Sequence, residues 1–92
     1  MSDKNVLFDV VWERIAAHSG QEFTQIRGGK FSYQVKNWHV VSKRTNQQFA
    51  RSSFEEAFQL VPLPNTVPIQ HLRGPSYIYA ILMDGRIRLG DW

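Results

Sequence analysis

Within the first forty residues the spacing of apolar side chains changes from a period of 3.6 to a period of two. That switch is the strongest constraint on what this chain can fold into. Between Val6 and Ser19, the residues Phe8, Val11, Trp12 and Ile15 recur at offsets 0, 3, 4 and 7, with Leu7 and Val10 widening the stripe. This is the pattern of an amphipathic helix. Asp3 or Asn5 can cap its first amides, and Gly20 sits where a left-handed residue would end it. Further on, Phe31, Tyr33 and Val35 alternate with Ser32, Gln34 and Lys36, and the alternation resumes as Trp38 and Val40 against His39, Val41 and Lys43. That is the pattern of a hairpin with one buried face. A chain carrying both periods reads as α+β.

A two-residue loop at Lys36-Asn37 sets Val35 opposite Trp38 and Tyr33 opposite Val40, so these four side chains are expected in the core. Truncating Trp38 to Ala is then expected to cost about 3–5 kcal/mol. A second turn at Gly28-Gly29 adds a strand, Glu22 to Arg27, and pairs Ile26 with Phe31. In that register Phe23 faces outward unless a bulge turns it in. The polar stretch from Ser42 to Gln48 reads as an exposed loop. Helix two follows, with Ser53 and Glu56 at capping-box spacing and Phe54, Ala57, Phe58 and Val61 as its apolar stripe before Pro62 and Pro64.

The segment from Pro62 to Pro68 reads as an extended linker. Gly74-Pro75 then opens a third helix over Tyr77 to Met83, closed by Gly85, with a buried strand as the alternative. Arg86 to Leu89 suits a short edge strand or an extended tail. The expected architecture is a three-stranded antiparallel sheet packed against two or three helices, in the order α-β-β-β-α-α. It forms one domain over residues 1–92, with a core from 6 to 61 and a C-terminal segment, 69 to 92, packing back on it.

Composition narrows the function classes. Ninety-two residues, 42% of them hydrophobic, have room for a single core, and the absence of cysteine removes disulfides, thiolate zinc sites and a Cys nucleophile. The longest apolar run, Tyr77 to Met83, is far below the roughly 20 residues of a membrane span, so a cytoplasmic protein without membrane partners is expected. His18, His39 and His71 fall on separate elements without metal-ligand spacing, and no metal or cofactor is expected. Gly28-Gly29-Lys30-Phe31 lacks the first glycine and the hydroxyl of a phosphate-binding loop, because Thr24 and Phe31 stand there. No spacing makes a triad of Asp84, His71 and Ser76.

Charge is the most informative property. Between Phe23 and Phe54 lie Arg27, Lys30, Lys36, Lys43, Arg44 and Arg51 with no acidic residue, a charge of +6 inside a chain whose net charge is +3. Such segregation is the electrostatic footprint of a polyanion site. Lys36 and His39 on the polar face of the hairpin lead into Lys43, Arg44, Asn46, Gln47 and Gln48, then to Arg51 and Ser52 at the start of helix two. Cations, hydrogen-bonding amides and a helix start are what nucleic-acid binding asks for.

The leading expectation is non-catalytic binding of DNA or RNA through these nine residues. Metal-free RNA cleavage by His39 with Lys43 or Arg44 is a lesser alternative. A different class, a protein-interaction module or weak homodimer, would use Tyr77, Tyr79 and Trp92 if these exceed what one small core can bury. Over residues 6 to 61 the inferred order of helix, three strands and helix is similar to that of double-stranded-RNA-binding domains. The likeness is one of topology: Gly-Pro-x-His is absent between the first strands and helix two has no lysine cluster, so no functional residue is carried over.

Overall fold

The computed structural model describes residues 6–92. Its elements are α1 (Phe8–Ala17), β1 (Glu22–Thr24), β2 (Lys30–Lys36), β3 (His39–Ser42), β4 (Gln48–Ala50), α2 (Arg51–Phe58), a 3₁₀ turn (Val67–Ile69), α3 (Pro75–Leu82) and α4 (Gly85–Arg88). The strands form one antiparallel sheet in chain order, β1-β2-β3-β4. One sheet face presents Phe23, Phe31, Tyr33, Val40 and Phe49 to the core, where they join Val11, Ile15, Phe54, Ile78 and Ile81 of the helices. The α+β class and antiparallel sheet are as expected from the two periods; the sheet has four strands rather than three.

The extra strand has a local cause. β4 is only three residues long and contains one large apolar side chain, Phe49, between Gln48 and Ala50, so it has no visible alternation. A turn joins it to β3: Ser42 N donates to Gln47 O at 2.9 Å, Asn46 N donates to Ser42 O at 2.8 Å, and Asn46 takes a left-handed φ of 57°. Asparagine tolerates that region better than most residues. The fourth strand also departs from the double-stranded-RNA-binding order.

The β2–β3 hairpin pairs Lys36 with His39, Val35 with Val40 and Tyr33 with Ser42. Its two-residue turn is therefore Asn37-Trp38, not Lys36-Asn37. Asn37 occupies the left-handed first position with φ 57°, a conformation that costs Lys more than Asn. The shift of two residues preserves the faces of the strands but moves Trp38 out of β3 into the turn, where it is 64% exposed. Phe49, paired with Val40, supplies the core aromatic expected from Trp38. Trp38→Ala therefore opens no cavity in the core, and the cost of a core truncation does not apply to it.

At the other hairpin Phe23 pairs with Phe31 and Thr24 with Lys30, so Phe23 is buried without a bulge while Ile26 lies in the loop and is exposed. The loop spans residues 25–29 and is closed by Gln25 N donating to Gly29 O at 2.7 Å. Where β1 has ended, the remaining edge of β2 is met by the chain leaving α1. Gly20 N donates to Tyr33 O at 2.8 Å and Ser19 Oγ accepts from Val35 N at 3.2 Å. Gly20 makes this approach at φ 87°.

Helix boundaries differ from expectation where packing overrides local signals. Leu7 stands at the N-cap of α1 without a side-chain bond, and Asp3 and Asn5 lie outside the described residues. α2 begins at Arg51, directly from β4, so Ser53 falls inside its first turn instead of capping it. The proline segment is not a plain extended linker: Leu63 and Ile69 are buried and Val67–Ile69 forms the 3₁₀ turn. α3 is helical as expected. Beyond it, Asp84 Oδ1 accepts from Arg86 N at 2.8 Å and caps α4, so Gly85 opens a helix and residues 86–88 are helical rather than extended.

The C-terminal aromatics belong to the interior. Tyr77 stacks on Phe49 with centroids 5.0 Å apart and meets Phe31 edge-on at 4.9 Å. Trp92 is buried, its ring edge-on to Phe58 at 5.2 Å and its Nε1 donating to Leu82 O at 2.9 Å. Tyr79 is half-buried against the same cluster. One core does accommodate Tyr77 and Trp92, because α4 turns the tail back under α1 and α2.

Polar clasps fix that tail. Arg14 donates to Ile87 O at 2.9 Å and pairs with Asp91 at 2.7 Å. The Arg86 guanidinium lies 3.9 Å over the Phe23 ring, donates to Glu22 O at 2.8 Å and pairs with Asp84 at 2.9 Å. Its hydrogen bonds to the carboxylate hold Asp84 below the usual carboxylate range. Tyr33 donates its hydroxyl to Ile15 O at 2.7 Å, and burial pushes its pKa well above that of a free tyrosine. Among the described residues, no helix is long and apolar enough to cross a membrane.

Candidate nucleic-acid interface

Because the helices cover one sheet face, the alternation that buries Tyr33 and Val40 turns their neighbours outward. The register places Lys36, His39 and Ala50 in one row across β2, β3 and β4, and Gln34, Val41 and Gln48 in the next. Lys36, His39 and Gln48 are exposed there, and the β3–β4 turn adds exposed Lys43, Arg44, Asn46 and Gln47. Two shallow depressions run along this side. One, of about 530 Å³, is lined by His39, Asn46, Gln47, Gln48, Ala50, Ser53 and Arg73. The other, of about 310 Å³, is lined by Trp38, His39, Ala50, Arg51, Ser52 and Glu55. His39 and Ala50 are common to both, so the two depressions adjoin, and together they make up the trough that runs from the β3–β4 turn to the start of α2.

The expected residues thus come together on one side of the molecule, with differences in availability. Lys36 and Lys43 make no ion pair among the described residues. Arg44 makes one hydrogen bond, to Gln25 Oε1 at 3.3 Å, and remains exposed. Arg51 is engaged within the fold. It pairs with Asp9 at 2.5 Å and Glu55 at 3.8 Å, and its guanidinium lies 4.9 Å from the Phe8 ring centroid, 5.8 Å from Trp12 and 5.2 Å from Trp38. Only 21% of its side chain is accessible. It is a packing cation holding α1, the hairpin turn and α2 together, and offers little to a phosphate.

The trough also takes in residues that were not expected from the sequence, Arg73 and Trp38 among them. Arg73, from the segment before α3, lines the larger depression and has no ion pair among the described residues. It stands beyond the acid-free stretch and reaches the trough only through tertiary folding, so no local signal marks it. Trp38 does have a signal, the Asn before it, which fixes the turn and leaves the indole outside.

The other histidines are elsewhere: His18 Nδ1 lies 2.8 Å from Arg14 O and His71 pairs with Glu56 at 2.6 Å. His39 has no hydrogen-bond partner among the described residues to orient its ring. A third depression, of about 330 Å³, lies between the β1–β2 loop and the start of α3, where Gln25 Nε2 donates to Ser76 Oγ at 2.9 Å. No family model, curated protein or solved structure matches the chain, so the reading of this trough rests on its own chemistry.

Proposed function

We propose that the protein is a non-catalytic nucleic-acid-binding domain whose contact surface is the trough along β3, β4 and the start of α2. The observation that carries this reading is a set of cations without a carboxylate partner among the described residues: Arg73 lines the polar depression, Lys36 stands in the row of His39, and Lys43 and Arg44 lie on the β3–β4 turn, Arg44 reaching toward Gln25. Arg14, Lys30, Arg51, Arg86 and Arg88 are by contrast paired with carboxylates or carbonyls, while Arg27 stands unpaired on the β1–β2 loop among the described residues. Phosphates bind these cations, while Asn46, Gln47 and Gln48 supply donors and acceptors for sugars and base edges. Ser52 lies exposed in the first turn of α2 beside Trp38, where its hydroxyl suits a sugar or base edge. A catalytic role for His39 has less support, since general-base chemistry calls for an oriented ring beside a second group that shares the proton traffic.

The test is a salt titration of affinity for DNA and RNA. Displacement of counterions by three or four cations gives a slope of log affinity against log salt of roughly −3 to −4 on B-DNA. Replacing Lys43 and Arg44 together with Ala should reduce the slope by about two. Absence of binding at low salt, or a slope insensitive to the double substitution, would reject the proposal.

A further inference from the structure

We infer that the trough takes an unpaired strand, RNA or DNA, by stacking a base on Trp38; this rests on the cationic surface proposed above. The chain has three tryptophans and buries two of them, Trp12 and Trp92, each at 8% exposure, while Trp38 stands 64% exposed at the end of the trough. An indole so placed presents an accessible aromatic surface at the depression.

Trp38 is also held in place. Arg51 N donates to Trp38 O at 2.7 Å, tying the hairpin turn to the first residue of α2. The Arg51 guanidinium backs the indole at 5.2 Å and is itself wedged against Phe8 and Trp12. A ring presented on a fixed turn over a packed cation loses little freedom when a base stacks on it.

Charge separates base from backbone along the trough. Glu55 lines the depression next to Trp38, and Asp9 pairs with the Arg51 beneath, so phosphate is disfavoured at the indole. Arg73 lines the adjoining depression beyond His39, where a phosphate is favoured. A stacking surface beside a cationic track is the arrangement by which single strands are bound without sequence readout. A duplex keeps its base faces within its own stack and offers only edges and phosphates, so it can use the cations but not Trp38.

Binding of oligo(dT), oligo(rU) and a blunt DNA duplex by the wild-type chain, Trp38→Ala, Trp38→Phe and Lys43→Ala/Arg44→Ala tests the inference. Expected are saturable quenching of tryptophan emission by dT or rU and, for Trp38→Ala, a loss of roughly 5- to 150-fold in single-strand affinity, the range of one stacked base. Trp38→Phe should recover most of that loss, and duplex affinity should change less than about twofold in either variant. The stronger of the dT and rU responses identifies the preferred strand, and both fit the inference. Thermal melting checks each fold, and Trp38→Leu, which keeps an apolar cover over Arg51 without a π-face, must behave as Trp38→Ala does. Equal losses on duplex and single strands, or unchanged single-strand affinity in Trp38→Ala, would overturn the stacking role while leaving the cationic reading to its salt slope. No binding to any of the three probes would overturn both.

Discussion

The tail around α4 and the open face of the sheet use the same kind of residue for opposite ends. At the tail, Arg14 donates to Ile87 O and pairs with Asp91, Arg86 is shared among Asp84, Gln21 and Glu22 O, and Arg88 donates to Trp92 O. Every one of those guanidinium groups finds acceptors that folding itself provides. Across the sheet, Lys36, Lys43 and Arg73 have no such partner among the described residues. The number of cations therefore says less about function than whether the fold has already satisfied them. Arg51 marks the boundary: it belongs to the acid-free stretch by sequence and to the packed interior by its contacts.

If this contrast is real, substitutions at the tail lower stability and substitutions on the open face do not. The largest effect is expected for Trp92→Ala, which removes a buried ring and its bond to Leu82 O. A loss of about 3–5 kcal/mol in urea unfolding is expected, and a loss under about 1 would mean that the tail is not part of the core.

Next comes the Asp84–Arg86 pair, both of whose side chains are partly exposed, so solvent screening reduces its worth to about 1 kcal/mol. The folded-state carboxyl titrates lower than the unfolded one. Its contribution is therefore fully present above the unfolded value of about 3.9 and is lost as pH falls through the depressed folded value. Asp84→Asn should accordingly destabilise at neutral pH, and the gap to wild type should narrow on acidification below about pH 4. A gap independent of pH would mean that the charge on Asp84 is idle.

The smallest effects belong to Lys36→Ala and Lys43→Ala, each within about 0.5 kcal/mol of wild type by the same unfolding measurement. A cost comparable with that of the tail substitutions would break the comparison, because it would reveal a structural partner for these lysines.

Much of this fold was legible in the chain, and the misses share a cause. The stripe of Phe8, Val11, Trp12 and Ile15 and the alternation through Tyr33 and Val40 are repeated signals that core formation rewards several times over. β4 has one large apolar residue and no repeat, so only its pairing with β3 makes it a strand. Trp38 failed because hydrophobicity argued for burial while one asparagine decided the turn. The α4 turn depends on a single capping carboxylate from Asp84. For the candidate site, the cluster from Lys36 to Gln48 was visible as a run of charge and amides. Arg73 was hidden because its neighbours in the trough are distant in the chain, and the engagement of Arg51 was hidden because its partners, Asp9 and Phe8, are on α1.

The order of the strands has a consequence for how the molecule forms. Each strand pairs with the next one along the chain, so every ladder closes a short loop. Arg14 reaches Ile87 and Asp91, spanning 73 and 77 positions. Closing loops of that length costs more chain entropy than zipping a meander, and little of it is recovered until the last helices dock. Assembly is therefore expected to run from the middle outward, with the four strands and α2 as its early unit and the meeting of α1 with α4 as its late step. In a chevron, a weakened clasp should show itself as faster unfolding with folding nearly unchanged, and a weakened β2–β3 turn as slower folding.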